Sequence, residues 1–321
     1  MKRFIFAIGA LAVLSYVQTA TSYKLEALPN AYTLVGEGPH WDIKTQSLYF
    51  VDIDLAKLLR YDYKTNKTYS AVLQGEKFAS FIIPIKGKKD KFVVGCDRRV
   101  VIVKWDGISP IAKVVYTAHE VEFGNEYHMN RFNDAKADKK GRLVAGTMWN
   151  DQSDLFTYRK GSLYSFQKKK KAKSIVPYAG ISNGMTWNDK TKKFYFVDSA
   201  NYNVTEFNYN YKTGTLNGDP RVVWQHETHM PDGMTIDADG NLYIATFSGS
   251  TIYKVNPKTK KTLMEIKFPT KQITSAAFGG PNLDILYVTT SALNNEPPPA
   301  GTTYQVTGLG AKGLPMTRVR I

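Results

Sequence analysis

Four side chains that carry carboxylate or amide oxygens occupy the same point of a recurring pattern: Glu37, Asn133, Asn183 and Asp232. In each copy the polar residue is followed by an apolar strand, a turn rich in Asp, Asn, Gly and Lys, and a second apolar strand. Carboxylate and amide oxygens without cysteine are ligands for hard divalent ions such as Ca²⁺, Mg²⁺ and Mn²⁺. If the four side chains converge, they form a metal site. The alternative is a buried polar cluster satisfied by water.

The pattern occurs six times, because two divergent copies begin at Ala79 and Thr274, and the copies are 42 to 54 residues apart. Four short antiparallel strands per unit at such a period are typical of a β-propeller. We therefore predict an all-β, six-bladed β-propeller with four antiparallel strands per blade and the metal site in its central channel. A single domain, residues 23–321, would be closed by a segment beginning at Ala31 that completes the last blade.

Residues 1–22 have the order of a secretory signal peptide. Lys2 and Arg3 precede an apolar run, and Ala20 and Ser22 occupy the small-residue positions of a cleavage site. The run is short for a bilayer span, so an uncleaved membrane anchor is the less favoured interpretation. We expect a secreted, extracellular protein with no transmembrane segment after this run.

The net charge of the chain is strongly basic, with 43 Lys and Arg against 28 Asp and Glu, or +15. Most of the lysines fall in predicted turns, so the positive charge is spread over many loops rather than gathered along one groove. A nucleic-acid-binding protein would concentrate this charge on one face. We therefore expect no nucleic-acid partner.

The single cysteine, Cys96, lies in an apolar strand and cannot form an intrachain disulfide. A buried packing role is more common for such a residue than a role as nucleophile. Asn66 and Asn203 each begin an Asn-x-Thr sequence, which would be a glycosylation candidate in a secreted chain.

The sequence contains no phosphate-binding loop and no HExxH motif. His226 and His229 precede Asp232 and could line the mouth of the channel, although such histidines are more often ordinary loop residues. Arg131, two residues before Asn133, could hold a substrate carbonyl or hydroxyl, with a structural salt bridge as the equal alternative.

Several motifs, in order along the chain, resemble the regucalcin (senescence marker protein)/gluconolactonase family: GEGPHWD, NRFNDAKAD, SNGMTW, PDGMTID and FGGPNLD. The first and last of these, together with SFIIPI, are most similar to the luciferin-regenerating enzyme and regucalcin-like branch. The resemblance implies a six-bladed propeller with one divalent metal ion in its channel. Glu37, Asn183 and Asp232 would bind the metal, and Asp232 would also be the general base.

The resemblance also assigns substrate contacts. Arg131 and Asn133 would contact the substrate or a water on the metal. Asp151 occupies the position of an acidic substrate contact in the members that process sugar lactones, where the residue is the longer Glu. Ala135 replaces the usual glycine of the NDGK motif, which narrows the site slightly. The shorter Asp151 argues against an aldonolactone substrate.

The predicted function is that of a secreted, metal-dependent hydrolase that opens a small-molecule lactone or related ester and acts as a monomer. Ca²⁺ is the favoured ion, with Zn²⁺, Mn²⁺ or Mg²⁺ as alternatives. The cation would polarise the carbonyl, Asp232 would accept the proton, and Arg131 and Asn133 would stabilise the oxyanion. Two other functions fit the sequence: a non-catalytic secreted propeller that binds Ca²⁺ or a small ligand, and a luciferin-regenerating type of enzyme acting on a heteroaromatic compound.

Overall fold

The computed structural model describes residues 23–151, 153–167 and 170–321, and the predicted signal peptide lies outside these ranges. In the first half of the chain the strands are β1 (Lys24–Tyr32), β2 (Gly36–Asp42), β3 (Ser47–Asp52), β4 (Lys57–Asp62), β5 (Lys67–Leu73), β6 (Ile82–Pro84), β7 (Lys91–Cys96), β8 (Arg99–Lys104), β9 (Ile111–Glu120), β10 (Asn130–Ala137) and β11 (Leu143–Trp149). In the second half they are β12 (Gly161–Phe166), β13 (Lys173–Ala179), β14 (Ser182–Asn188), β15 (Lys193–Asp198), β16 (Asn203–Asn210), β17 (Thr215–Gln225), β18 (Pro231–Ile236), β19 (Leu242–Thr246), β20 (Thr251–Asn256), β21 (Lys261–Lys267), β22 (Ile273–Gly279), β23 (Ile285–Thr290) and β24 (Thr302–Thr307).

Helix is nearly absent from the described residues. Three short 3₁₀ turns occur there, at Asn125–Tyr127, Ser199–Asn201 and Leu293–Asn295. Within the same residues no helix has the length and apolar character that a membrane span requires.

The strands form an all-β propeller with four separate four-stranded blades. Their strand orders are β10-β11-β12-β13, β14-β15-β16-β17, β18-β19-β20-β21 and β1-β24-β23-β22. The remaining strands form one eight-stranded sheet with the order β2-β3-β4-β5-β9-β8-β7-β6. The inner strands β2, β10, β14, β18 and β22 pack side by side around the axis. The first residue of each predicted unit therefore lies near the channel.

The prediction of six four-stranded blades is wrong. Two of the six predicted units are fused, because β5 pairs in parallel with β9 through Val72 with Ile111 and Leu73 with Ala112. The amide of Val72 donates to the carbonyl of Pro110 at 3.0 Å. An outer strand exposes unpaired backbone groups along its edge, and these groups find a partner where another strand comes close. A sequence repeat marks where strands begin and says nothing about pairing between the edges of different units.

The N-terminal strand joins the last blade. Strand β1 pairs with β24, from Lys24 opposite Thr307 to Tyr32 opposite Thr302. The segment predicted to complete this blade begins at Ala31, so the strand starts earlier than expected. Between the first and last units, Trp41 is fully buried and stacks on Tyr287, with ring centroids 5.3 Å apart. Aromatic packing of this kind stabilises the contact between the two ends of the sequence.

The C-terminal residues 312–320, which we call the C-terminal strap, cross the end of the channel at the hairpin turns of the inner strands. The amide of Ala238 donates to Lys312 O at 2.8 Å, and the amide of Val319 donates to Pro84 O at 3.0 Å. The Arg318 guanidinium forms a two-pronged ion pair with Asp42. The strap therefore joins several blades at one face of the molecule.

Candidate functional site

Glu37 and Asp232, from β2 and β18, lie side by side on the channel axis. Both are buried, with 6% and 5% of their surface exposed, and their carboxyl groups are within hydrogen-bonding distance. Burial, reinforced by the charge of Asp134, raises the pKa of Glu37 to about 8. Burial and the charge of Glu37 raise the pKa of Asp232 well above its usual value. Two carboxylates this close need a shared proton or a cation between them.

The two predicted amides are held in one hydrogen-bonded chain. Asn133 Nδ2 donates to Asn183 Oδ1 at 3.0 Å, and Asn183 Nδ2 donates to Ser199 Oγ at 2.9 Å. The Ser199 hydroxyl in turn donates to the carbonyl of Pro231 at 2.6 Å. Pro231 directly precedes Asp232 in the sequence. The chain fixes the orientation of both amides and connects three neighbouring inner strands.

Arg131 is buried beside this chain and is oriented by it. Its Nη1 donates to Asn133 Oδ1 and to Phe132 O, both at 2.8 Å, and its Nε donates to Asn150 Oδ1 at 2.8 Å. Burial lowers the pKa of the guanidinium, while the charges of Glu37 and Asp232 act in the opposite direction. The structure therefore brings the predicted substrate contact Arg131 next to the predicted ligands.

Two glycines let the inner strands approach each other at the site. A Cβ at Gly184 would lie 2.6 Å from Asp232 O, and a Cβ at Gly233 would lie 2.0 Å from Ser275 Oγ. Any larger residue at either position would push neighbouring strands apart. This close approach is the physical reason for glycine after Asn183 and after Asp232.

Sequence reasoning missed two buried charges below the site. Asp134 is 3% exposed, its Oδ2 has no hydrogen-bond partner, and burial raises its pKa. Lys136 is also buried, and its ammonium donates to the carbonyl of Met234 across the channel. Burial lowers the pKa of Lys136, while the carboxylates of Asp134 and Glu37 raise it. The one indication in the sequence was that Asp134, a charged residue, directly follows the predicted site residue Asn133.

Other predicted residues lie outside this cluster. Asp151 lies in the loop after β11, where its Oδ1 accepts hydrogen bonds from the Ser153 hydroxyl at 2.6 Å and the Ser153 amide at 3.0 Å. His226 and His229 stack on each other in the loop before β18, with ring centroids 4.1 Å apart. Asn66 is exposed in a turn, and Asn203 begins β16 half-buried. No described hydrogen bond joins any of these five residues to Glu37 or Asp232.

Cys96 is fully buried in the core between the first two units. Burial raises the pKa of its thiol. The predicted packing role agrees with this environment, because a reactive cysteine needs an accessible thiolate.

The donor set fits a divalent cation. The cluster offers two carboxylates and two amides, and Asp232 Oδ1 is buried without a hydrogen-bond partner. A buried anionic oxygen without a donor is costly unless a cation contacts it. Among the described residues no group of three His, Cys, Asp or Glu side chains could hold a metal. A third protein ligand would have to be another kind of oxygen donor, and Asn183 is the one that the sequence predicts.

Fold and site together define a class of β-propellers that carry a buried carboxylate–amide cluster on the channel axis. The model of the SMP-30/Gluconolactonase/LRE-like region matches residues 35–292. Regucalcin of Macaca fascicularis is 34% identical over 302 residues, covering 92% of this chain and 97% of that protein. The chain belongs to this SMP-30/gluconolactonase/LRE-like family, as its motifs predicted.

Two solved structures resemble the chain. A luciferin-regenerating enzyme gives a TM-score of 0.84 at 37% identity, covering 94% of this chain and all of that one (100%). A regucalcin from Agrobacterium tumefaciens, described as a calcium-binding protein, gives a TM-score of 0.80 at 21% identity, covering 92% of this chain and 97% of that one. The second likeness shows the fold alone.

Proposed function

We propose that this protein is a secreted hydrolase that opens a small-molecule lactone or related ester with the help of one divalent cation, with Ca²⁺ favoured. The observation that carries the proposal is the buried pair of Glu37 and Asp232 on the channel axis, with Asp232 Oδ1 lacking a donor. The chain belongs to a family whose description includes gluconolactonases, and this supports hydrolysis as the reaction. Glu37, Asn183 and Asp232 would hold the ion, which supplies a Lewis acid for the substrate carbonyl.

The chain's own residues would bind and orient the ester and move one proton. Asp232 is the group best placed to accept that proton, because its carboxyl is buried on the channel axis beside Glu37 and its Oδ1 has no hydrogen-bond partner. Arg131 uses Nε and Nη1 within the protein, and its Nη2 has no partner among the described residues. This free donor can bind the substrate's carbonyl oxygen and stabilise the charge that develops on it.

The wall beside Arg131 favours an aromatic over a sugar-like substrate. The Arg131 guanidinium lies over the Phe78 ring, with its Cζ 5.7 Å from the ring centroid. An aromatic ring there offers no hydrogen bond to the hydroxyls of an aldonolactone. Asp151, the proposed acidic contact, already accepts two hydrogen bonds from Ser153. We therefore place aromatic lactones and aryl esters ahead of aldonolactones.

A second candidate function follows from the same ring. An enzyme of the luciferin-regenerating type, acting on a heteroaromatic compound, would also use an aromatic wall beside a cationic side chain. A third candidate, a propeller that binds Ca²⁺ or a small ligand without turnover, would use the same cluster. Turnover separates the first two candidates from the third, and the bond that is cleaved separates the first from the second.

The test is a screen of the mature protein against aldonolactones, aromatic lactones and aryl esters, each with Ca²⁺, Mn²⁺, Mg²⁺ or Zn²⁺. We expect metal-dependent hydrolysis of an aromatic lactone or ester. Asp219→Asn serves as a matched control, because Asp219 is exposed on β17. Absence of turnover on every ester, with metal still bound, would favour the non-catalytic binder.

A further inference from the structure

A second ring of polar side chains lies in the channel on the same four inner strands. It consists of the residues three positions after each site residue: His40, Lys136, Thr186 and Thr235. The spacing of three has a structural cause. Each of these strands shifts register by one residue just beside the site residue, for example between Glu37 and His40. A β-bulge of this kind places residues three apart on the same face of the strand.

The four side chains line one cavity of about 100 Å³, which we call the lower chamber. Its outer wall is formed by Leu314–Thr317 of the C-terminal strap. The amide of Trp41 donates to Met316 Sδ at 3.2 Å, which holds the strap in place. A chamber of this size accepts a few waters or one small ion, since a water occupies about 30 Å³ in the liquid.

The ring supplies hydrogen-bond donors that the protein leaves without acceptors. The His40 Nε2 atom is buried and has no partner, in a side chain that is only 2% exposed. Within the part of the chain that the structure describes, the hydroxyls of Thr186 and Thr235 make no hydrogen bond. The Lys136 ammonium donates to Met234 O and has no described carboxylate within 4.0 Å. Buried polar groups normally find partners. The unpartnered His40 Nε2, together with two hydroxyls that have no described partner and an ammonium with a single one, points to a ligand in this cavity.

The carboxylates next to the lower chamber are already engaged. Asp189 lines the lower chamber itself, where it accepts the Tyr211 hydroxyl and lies 3.8 Å from Lys139, which also lines it. Asp42, outside the chamber, pairs with Arg318. Asp134, whose charge acts on Lys136, belongs to the carboxylate cluster around Glu37 and Asp232. The ring itself therefore presents one cation and two hydroxyls, with an imidazole beside them, and no carboxylate.

We propose that the lower chamber binds one small inorganic anion, such as chloride, held by the Lys136 ammonium and the hydroxyls of Thr186 and Thr235. The anion would accept hydrogen bonds that otherwise have no acceptor. It would also connect β10, β14 and β18 below the carboxylate cluster. This site is separate from the cation site of the proposed function, and either can exist without the other.

The first test places a heavy anion directly. Crystals of the full mature protein with Ca²⁺ are soaked in sodium bromide, and the anomalous signal of bromine is mapped. We expect a bromide ion in the lower chamber, contacting Lys136 Nζ and at least one of the two threonine hydroxyls. Water alone in the chamber, or a cation there, would overturn the proposal.

The second test asks whether the anion binds in solution. A ligand that binds only the folded state raises the melting temperature. We expect sodium chloride to raise it in a saturable way relative to sodium isethionate at equal ionic strength, with Ca²⁺ saturating. The Thr186→Val/Thr235→Val double variant should lose this difference. Thr303→Val, which removes another buried threonine hydroxyl with no described partner, on β24 and away from the chamber, should keep it.

Equal melting in the two salts, despite bromide in the crystal, would mean binding at crystal concentration only and would contradict the proposal. A chloride response that the double variant retains would also contradict it. If the double variant does not fold, the single Thr186→Val variant and the bromide map decide the question.

Discussion

Asp232 and Glu37 face each other across the channel within hydrogen-bonding distance, although they come from the fifth and first units of the sequence. Their strands, β2 and β18, each pack against β22, which lies between them, and both side chains are buried. Such a pair stores electrostatic repulsion that a proton or a cation relieves. The predictions below follow from this relationship and from the residues around it.

Removal of divalent ions should lower the stability of the folded protein. A cation that binds only the folded state adds about 2.7 kcal/mol when its concentration is 100 times its Kd. Chelation should therefore lower the melting temperature, and Ca²⁺ or Mn²⁺ should restore it. Glu37→Ala should lose most of this response, as measured by thermal unfolding with and without metal. A variant that responds as the parent does would show that Glu37 is not a ligand.

Phe78 should select for aromatic substrates. Phe78→Ala removes the aromatic ring that lies against Arg131. We therefore expect kcat/KM for an aromatic lactone to fall about tenfold, which corresponds to a loss of roughly 1.4 kcal/mol. Hydrolysis of an aliphatic lactone of similar ring size should change by much less, because it makes no stacking contact. Steady-state kinetics on the two substrates measures this ratio. Equal losses on both substrates would place Phe78 outside the substrate contact.

His40 should make stability depend on pH in the acidic range. Burial lowers its pKa from 6.5 to about 4, with Asp42 opposing the shift. The unfolded chain then binds more protons between these values, so this contribution is complete above pH 6.5 and is lost as the pH falls towards 4. A difference of this size corresponds to roughly 3 kcal/mol.

The check is urea unfolding of the parent and His40→Gln at several pH values with saturating Ca²⁺. The stability difference between the two proteins should narrow as the pH falls from 6.5 to about 4. Taking the difference removes the contribution of the carboxylates, which both proteins share. A difference that does not change with pH would show that His40 keeps an ordinary pKa.

Export should remove the first 22 residues. The order of charged, apolar and small residues before Tyr23 predicts cleavage there in a secretory cell. N-terminal sequencing of protein from the medium should begin at or near Tyr23, and glycosidase treatment should change its mass if Asn66 or Asn203 is modified. An intracellular product that retains Met1 would contradict export.

The repeat predicted where the inner strands begin, and Glu37, Asn133, Asn183 and Asp232 lie near those points. Their roles as metal ligands, base or substrate contact stay predictions. Arg131 was predicted as a substrate contact because it lies two residues before Asn133. These predictions depend on local order along each strand, which a linear pattern records well.

Other features depend on contacts that no linear pattern records. The pairing of β5 with β9 joins edges of different units, so the repeat predicted six separate blades where the structure has four and one larger sheet. The Asp151 carboxylate accepts a hydrogen bond from Ser153 within its own loop, and the sequence pattern does not predict this side-chain orientation. Asp134 and Lys136 face the channel because of a β-bulge, which shifts side chains to a face that simple alternation does not predict.

The role of Asp232 in turnover is the central claim, and Asp232→Asn tests it most directly. Asparagine keeps an oxygen that can contact a cation but cannot accept a proton at neutral pH. Loss of a general base costs on the order of 10²–10⁴ in rate. With saturating Ca²⁺ and the best lactone or ester, we predict that kcat falls by such a factor, while the Asp219→Asn control stays at the parental rate. Parental kcat in Asp232→Asn under these conditions would contradict the account.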